Sequence, residues 1–272
     1  MALIQSFVIF SRMPPDWSAW LYEHTLLRGE GAAVFLAFVG ALCIGLSKSG
    51  LAGTATLTVV LMAQAFGAKA SVGLVLPLLI AADFMGVWLN RKGGSWRKVW
   101  VIAPPAMIGV VIGYFLLGKI DNSAARIVIG WLIIALLVFK LVLDAWKDTF
   151  IVLTSHHGFA WTMGLCAGIT TMLANAAGPV MTVYLLSQRL EKKELLGVFT
   201  RYFLFMNLFK VPFSANLGII NPRSLMTNCI LLPAVVLGVV LGWQILKRIP
   251  QKPFEWTLFF LTLFAAVWLI RG

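Results

Sequence analysis

A lysine set in a glycine- and serine-rich break between apolar runs is the residue of this chain best suited to chemistry. The stretch reads Gly45-Leu46-Ser47-Lys48-Ser49-Gly50-Leu51-Ala52-Gly53-Thr54. A lysine inside a hydrophobic segment costs about 2.5–3.5 kcal/mol unless water or a partner receives it, so Lys48 marks a functional position. The surrounding glycines let a helix unwind, and Thr54 can begin the next helical piece. Free N–H groups and partial positive charge at a helix start suit an anion. Ser47, Ser49, Gly50 and Thr54 therefore join Lys48 as candidate anion ligands. The competing reading is a lysine that snorkels from a helix end to the headgroups; the flanking serines and glycines favour a site.

A matching stretch in the second half reads Thr170-Thr171-Met172-Leu173-Ala174-Asn175-Ala176-Ala177-Gly178-Pro179. Pro179 fits the first turn of a helix, where a missing N–H costs nothing. Thr171 and Asn175 offer neutral donors at this second break, and the same side chains are nearly as well suited to satisfying an interrupted backbone. The third apolar run of each half adds ionisable groups. Asp83 lies deep in the first, at the position equivalent to Asn207, while Arg201 and Lys210 lie in the second. Arg201 presents a fork of donors matched to a carboxylate or sulfonate. Lys210 either pairs with Asp83 or lines the pathway. Asp83 is the candidate coupling residue, a proton carrier, set against the plainer reading of an ion pair or helix–helix hydrogen bond.

A membrane-embedded enzyme needs paired histidines and carboxylates around intramembrane water. All three histidines fall outside the apolar runs, and Asp83 is the one acid deep inside them. Cys43, Cys166 and Cys229 sit within apolar runs, at spacings that make neither a zinc site nor a disulfide framework. No catalytic residue, metal site or cofactor is expected.

The elements that position these residues follow from composition. The 272 residues are 60% hydrophobic and 12% charged, with a mean hydropathy of +0.92, where a soluble domain carries about 25% charged residues. Backbone groups in lipid must be satisfied within each segment, and the alternation of a membrane β-barrel is absent. The expectation is an all-α polytopic membrane protein. Apolar segments fall at 32–47, 54–66, 70–90, 99–118 and 125–146, then at 158–173, 177–188, 194–217, 225–246 and 253–270. The opening pair of each half is short, which predicts broken or re-entrant helices whose tips meet within the membrane.

The net charge of +12 does not indicate a nucleic-acid partner, because the basic residues cluster in short loops. Arg91, Lys92, Arg97 and Lys98 fill one loop, Arg189, Lys192 and Lys193 a second, and Lys247, Arg248 and Lys252 a third. With alternating segments all three fall on one face, which the positive-inside rule makes cytoplasmic. Both termini then lie outside. Trp17, Trp20 and Tyr22 predict an interfacial N-terminal segment over 1–31, and a connecting loop over 147–157 separates repeats at 32–146 and 158–272.

Those repeats share a pattern. Pro104, Gly109, Gly113-Tyr114 and Ile120 recur at identical spacing as Pro233, Gly238, Gly242-Trp243 and Ile249, and Leu42-Cys43-Ile44-Gly45 recurs as Leu165-Cys166-Ala167-Gly168. Gly109/Gly113 and Gly238/Gly242 are small-xxx-small patterns that let helices approach closely. An odd number of crossings per half turns the second copy over, giving two inverted-topology repeats around a shared site, as in secondary transporters.

Over 32–271 the chain resembles the sulfite exporter TauE/SafE family of membrane transporters. The resemblance is carried by Gly40, by Gly45 through Gly53 with its Leu46-Ser47-Lys48-Ser49 core, by Asn175-Ala176-Ala177-Gly178-Pro179 with Tyr184-Leu185-Leu186, and by the duplicated Pro/Gly pattern. Many members carry a run of glycines where this chain has Leu51-Ala52-Gly53. The resemblance implies movement of small sulfur-containing anions such as sulfite, sulfonates or sulfoacetate, usually outward. The expected protein is a multi-pass secondary transporter of the inner cell membrane working by alternating access. Its expected partners are a small anionic substrate, the lipid bilayer and a second copy in a homodimer. A passive anion channel or a transporter of small carboxylates is the alternative.

Overall fold

Threonine hydroxyls reaching back to carbonyls of the preceding helix close the first two helices into a hairpin. In the computed structural model, α1 (Gly31–Lys48) and α2 (Gly53–Phe66) run antiparallel. Thr54 Oγ1 donates to the carbonyl of Cys43 at 3.0 Å, and Thr58 Oγ1 to that of Gly40 at 3.3 Å. The structure describes residues 23–27, 31–49, 51, 53–145, 157–188, 190–245 and 251–271. Trp17, Trp20, Tyr22, His156, Arg189, Lys247, Arg248 and Ile249, on which several sequence expectations fall, lie outside them.

Eight further helices follow: α3 (Ala68–Leu89), α4 (Trp96–Lys119), α5 (Asn122–Ala145), α6 (His157–Ala174), α7 (Gly178–Ser187), α8 (Lys192–Asn216), α9 (Pro222–Ile245) and α10 (Gln251–Arg271). Among the described residues there is no strand. These ten helices match the ten apolar runs of the sequence. α1, α3, α4, α5 and α9 are long and apolar enough to cross a membrane, so the protein is an all-α integral membrane protein. The second helix of each half is short, 14 residues in α2 and 10 in α7. At 1.5 Å per residue they reach about 21 and 15 Å, less than the roughly 30 Å of hydrocarbon. The sequence reading makes α1 and α6 short as well. At 18 residues each they reach about 27 Å, because each helix runs on to the residue before its turn.

Side chains end the helices locally. Ser95 caps α4 by accepting from the N–H of Arg97 at 3.2 Å. Asn221 and Ser224 cap α9 reciprocally, each accepting from the other's N–H, at 3.0 and 2.9 Å, a capping-box arrangement. Leu26 in the N-terminal segment donates its N–H to Thr227 on α9 at 2.9 Å.

The helices pack in reciprocal pairs. α1 lies along α9 and α6 along α4; α3 contacts both α8 and α9, and α8 contacts both α3 and α4. Each of these pairings has its counterpart with the halves exchanged, a pattern compatible with inverted repeats. α2 is covered by α10 and α7 touches α5, so part of the cover that short helices need comes from within the chain.

The duplicated glycines explain how α1–α9 and α4–α6 come so close. A Cβ on Gly45 would sit 2.1 Å from the carbonyl oxygen of Val235, and one on Gly238 2.2 Å from that of Leu42. At the equivalent crossing, a Cβ on Gly168 would sit 2.0 Å from the carbonyl oxygen of Ala106, and one on Gly109 2.3 Å from that of Leu165. In lipid, where apolar surface gains little by leaving its solvent, such backbone approach supplies the dispersion contacts that hold helices together.

Outward faces are apolar and aromatic. Trp88, Trp96 and Trp100 are exposed around the basic 91–95 turn, and Trp131, Phe260, Phe264 and Trp268 face out elsewhere. Tryptophans beside basic loops are the aromatic belt of a membrane–water interface.

Candidate functional site

The tip of the first hairpin reaches the buried part of α3. Lys48, the last residue of α1, places its Nζ 2.6 Å from Oδ1 of Asp83, with side chains 8% and 0% exposed. The ammonium also lies 4.8 Å from the centre of the Phe203 ring on α8, a cation–π distance. Asp83 accepts a second bond, from Nδ2 of Asn207, at 2.6 Å.

The second hairpin tip is built differently and reaches α8. Its backbone turns at Asn175, whose φ of 54° is left-handed, a conformation asparagine tolerates and that often ends helices. Asn175 closes α6 by donating its N–H to the carbonyl of Thr171 at 2.9 Å. Its Nδ2 donates to the carbonyl of Val72 on α3 at 2.9 Å, and its Oδ1 accepts from Lys210 Nζ at 2.6 Å. Lys210, 1% exposed, donates further to the carbonyl and hydroxyl of Thr171 at 3.1 and 3.0 Å.

Two ammonium groups and one carboxylate are thus buried where both tips meet the third helices. A buried charge is tolerated when paired and hydrogen-bonded, and the cluster sets two lysines against one carboxylate. Lys210 uses all three of its N–H donors on the second tip. Lys48 has one carboxylate and one ring face among the described residues, so it retains N–H groups for a ligand. A cavity of about 10 Å³ beside the second tip is lined by Ser71, Val72 and Asn175 among others, room for about one water.

The remaining sequence candidates are placed unequally. Ser47 donates its hydroxyl to the carbonyl of Ile44 at 2.7 Å, and Ser49 to that of Val239 on α9 at 2.8 Å. Thr54, 1% exposed, donates to Cys43 and Leu51. An anion needs donors, and each hydroxyl has a single proton already given to a carbonyl. These three shape the tip around Lys48. Gly50 lies outside the described residues.

Arg201 is not brought to the cluster. Its guanidinium donates to the carbonyls of Gly93 and Gly197, the latter at 2.9 Å, and to that of Arg91 at 3.2 Å. The helical period carries the reason: nine residues separate Arg201 from Lys210, two and a half turns, which sets them on opposite faces of α8 and about 13.5 Å apart along it. Lys210 makes its hydrogen bonds to the second tip while Lys48 makes the direct ion pair with Asp83. Asn207 and Phe203 complete the cluster and were not among the sequence candidates; Asn207 was legible only as the repeat partner of Asp83.

No curated protein and no solved structure matches the chain. A family model does, the sulfite exporter TauE/SafE model, over residues 34–269. That match spans nearly the whole chain and both hairpin tips, and the chain belongs to the sulfite exporter TauE/SafE family of membrane transporters.

Proposed function

We propose that this protein is a secondary exporter of small sulfur-containing anions, sulfite or an organosulfonate, embedded in the inner cell membrane. It works by alternating access between inverted repeats at 32–146 and 158–272. The observation that carries the reading is the buried Lys48–Asp83–Asn207 cluster where the first hairpin tip meets α3 and α8. An ammonium with spare donors in an apolar, water-poor surround attracts a compact anion far more strongly than it would in water, and a site with two lysines and one carboxylate disfavours cations. Lys48 is the primary ligand. Lys210, Thr171 and Asn175 form the opposing wall, and Ser47, Ser49 and Thr54 hold the first tip in shape.

Asp83 is the coupling residue in this reading. An anion arriving at Lys48 displaces the carboxylate already there, and a buried carboxylate without its cation costs several kcal/mol. Taking up a proton relieves that cost. Asn207 serves both states, because its amide donates to the ionised carboxylate and, turned over, accepts from the protonated one. A homodimer belongs to the same proposal, with lipid-facing helices as its contact surface.

The test is anion-dependent thermal stabilisation of the purified protein, since a ligand that binds only the folded state stabilises it by about 2.7 kcal/mol at a hundred times its Kd. The panel is sulfite, sulfate, sulfoacetate, taurine, acetate and chloride at matched ionic strength. Selective stabilisation by sulfite or a sulfonate, lost in Lys48→Met/Asp83→Asn, supports the reading. Equal responses to every anion overturn it.

A further inference from the structure

The two third helices, α3 and α8, are each closed against a turn from the opposite repeat, and the closures are equivalent by position. Gly73 and Gly197 are each the sixth residue of their helix. A Cβ on Gly73 would lie 2.3 Å from the carbonyl oxygen of Ile219, in the turn after α8. A Cβ on Gly197 would lie 2.2 Å from the carbonyl oxygen of Gly93, in the turn after α3. Backbone is pressed on backbone at both ends of the α3–α8 interface, on either side of Asp83 and Asn207.

The equivalence fails at one side chain. The tenth residue of α8 is Arg201 and the tenth of α3 is Pro77. Arg201, buried, ties its own helix at Gly197 to the facing turn at Gly93 and Arg91. Just outside it, Lys98 of α4 meets Glu194 of α8 at 2.7 Å. The opposite closure has no guanidinium at the matching position. Its side-chain ties are Asn175 on Val72 and Tyr114 of α4 on Asn216 at the end of α8; the Asn175 amide also holds Lys210, so the state of that tie is linked to the cluster. The Arg201 tie runs to carbonyls of the 91–93 turn and of its own helix, away from the cluster.

We infer that Arg201 is a latch that holds the basic-loop face of the pathway shut, independently of what occupies the central cluster, while the opposite closure responds to the cluster through Asn175. Arg201 acts on the transport cycle as a positioning residue. Charge-assisted bonds to three carbonyls are stronger than neutral ones, and a residue without that fork leaves the glycine contact and the half-exposed Lys98–Glu194 pair. The inference rests on the alternating-access reading above, but its test needs no substrate, so the two can fail separately.

The experiment is labelling of single cysteines by a membrane-impermeant maleimide, applied to one face at a time in oriented vesicles. The background replaces Cys43, Cys166 and Cys229 with alanine. The reporters are Thr200→Cys and Leu76→Cys, the ninth residue of α8 and of α3, both buried between helices. Adding Arg201→Ala raises labelling of the residue-200 reporter from the basic-loop face by about tenfold or more, the shift expected when a charge-assisted hydrogen bond is lost, and leaves the residue-76 reporter unchanged. Arg201→Lys, which keeps the charge without the fork, gives an intermediate rate and serves where Arg201→Ala does not fold. Unchanged labelling at residue 200 in both variants overturns the latch, as does an equal rise at both reporters. Loss of anion-dependent stabilisation without a labelling change also overturns it and returns Arg201 to the substrate site.

Discussion

Asp83 on α3 and Asn207 on α8, each the sixteenth residue of its helix, are hydrogen-bonded to one another at 2.6 Å. In the inverted-repeat arrangement proposed above, equivalent residues touch where the relating axis passes, and a bond of this kind is what that register leads one to expect. Around it the two sides differ chemically. Lys48 of the first tip meets the acid on α3, whereas Thr171 and Asn175 of the second tip meet Lys210 on α8.

Removing either half of the Lys48–Asp83 pair alone is expected to destabilise the protein by about 3–5 kcal/mol, the cost of an unpaired buried charge. Lys48→Met combined with Asp83→Asn should recover most of the loss. A double-mutant cycle on denaturation of the purified protein checks it, and additive losses would show that the pair is not coupled.

Asn207→Leu removes one donor from Asp83 and should cost about 1–3 kcal/mol. Asn207→Asp brings a second carboxylate against the first and should cost more at neutral pH, with the deficit shrinking as pH falls and one proton is shared. Melting temperatures of both variants across pH measure this; a pH-independent deficit in Asn207→Asp would place the two side chains apart.

Anion binding that protonates Asp83 makes the complex hold one more proton than the free protein. By linkage, affinity then rises as pH falls, by up to about tenfold per pH unit. A sulfonate, ionised throughout the range, is the ligand to use. Asp83→Asn should flatten the profile. A steep profile that persists in Asp83→Asn would assign the proton to another group.

Gly168→Ala should cost at least the roughly 1–3 kcal/mol typical of overpacking, because the new Cβ would lie 2.0 Å from the carbonyl oxygen of Ala106 and α6 must move off α4. Gly158→Ala, on the same helix with nothing within 4 Å, should be neutral or stabilising by up to about 1 kcal/mol. Thermal denaturation of the two variants side by side gives the contrast, and equal effects would remove the close crossing.

Much of this was legible in the chain itself. Helices, breaks and the glycine crossings follow from local composition, since lipid requires each segment to satisfy its own backbone and glycine spacing dictates where helices can touch. The equivalence of Asp83 with Asn207 needed only the repeat register. Tertiary structure decided which charge meets which. Lys48 faces Asp83, Lys210 faces the Asn175 tip, and Arg201 faces the carbonyls of the 91–93 turn, because partner choice depends on how α3 and α8 are rotated and docked against the tips. No local pattern encodes that rotation; it is set by the summed packing of helices far apart in sequence.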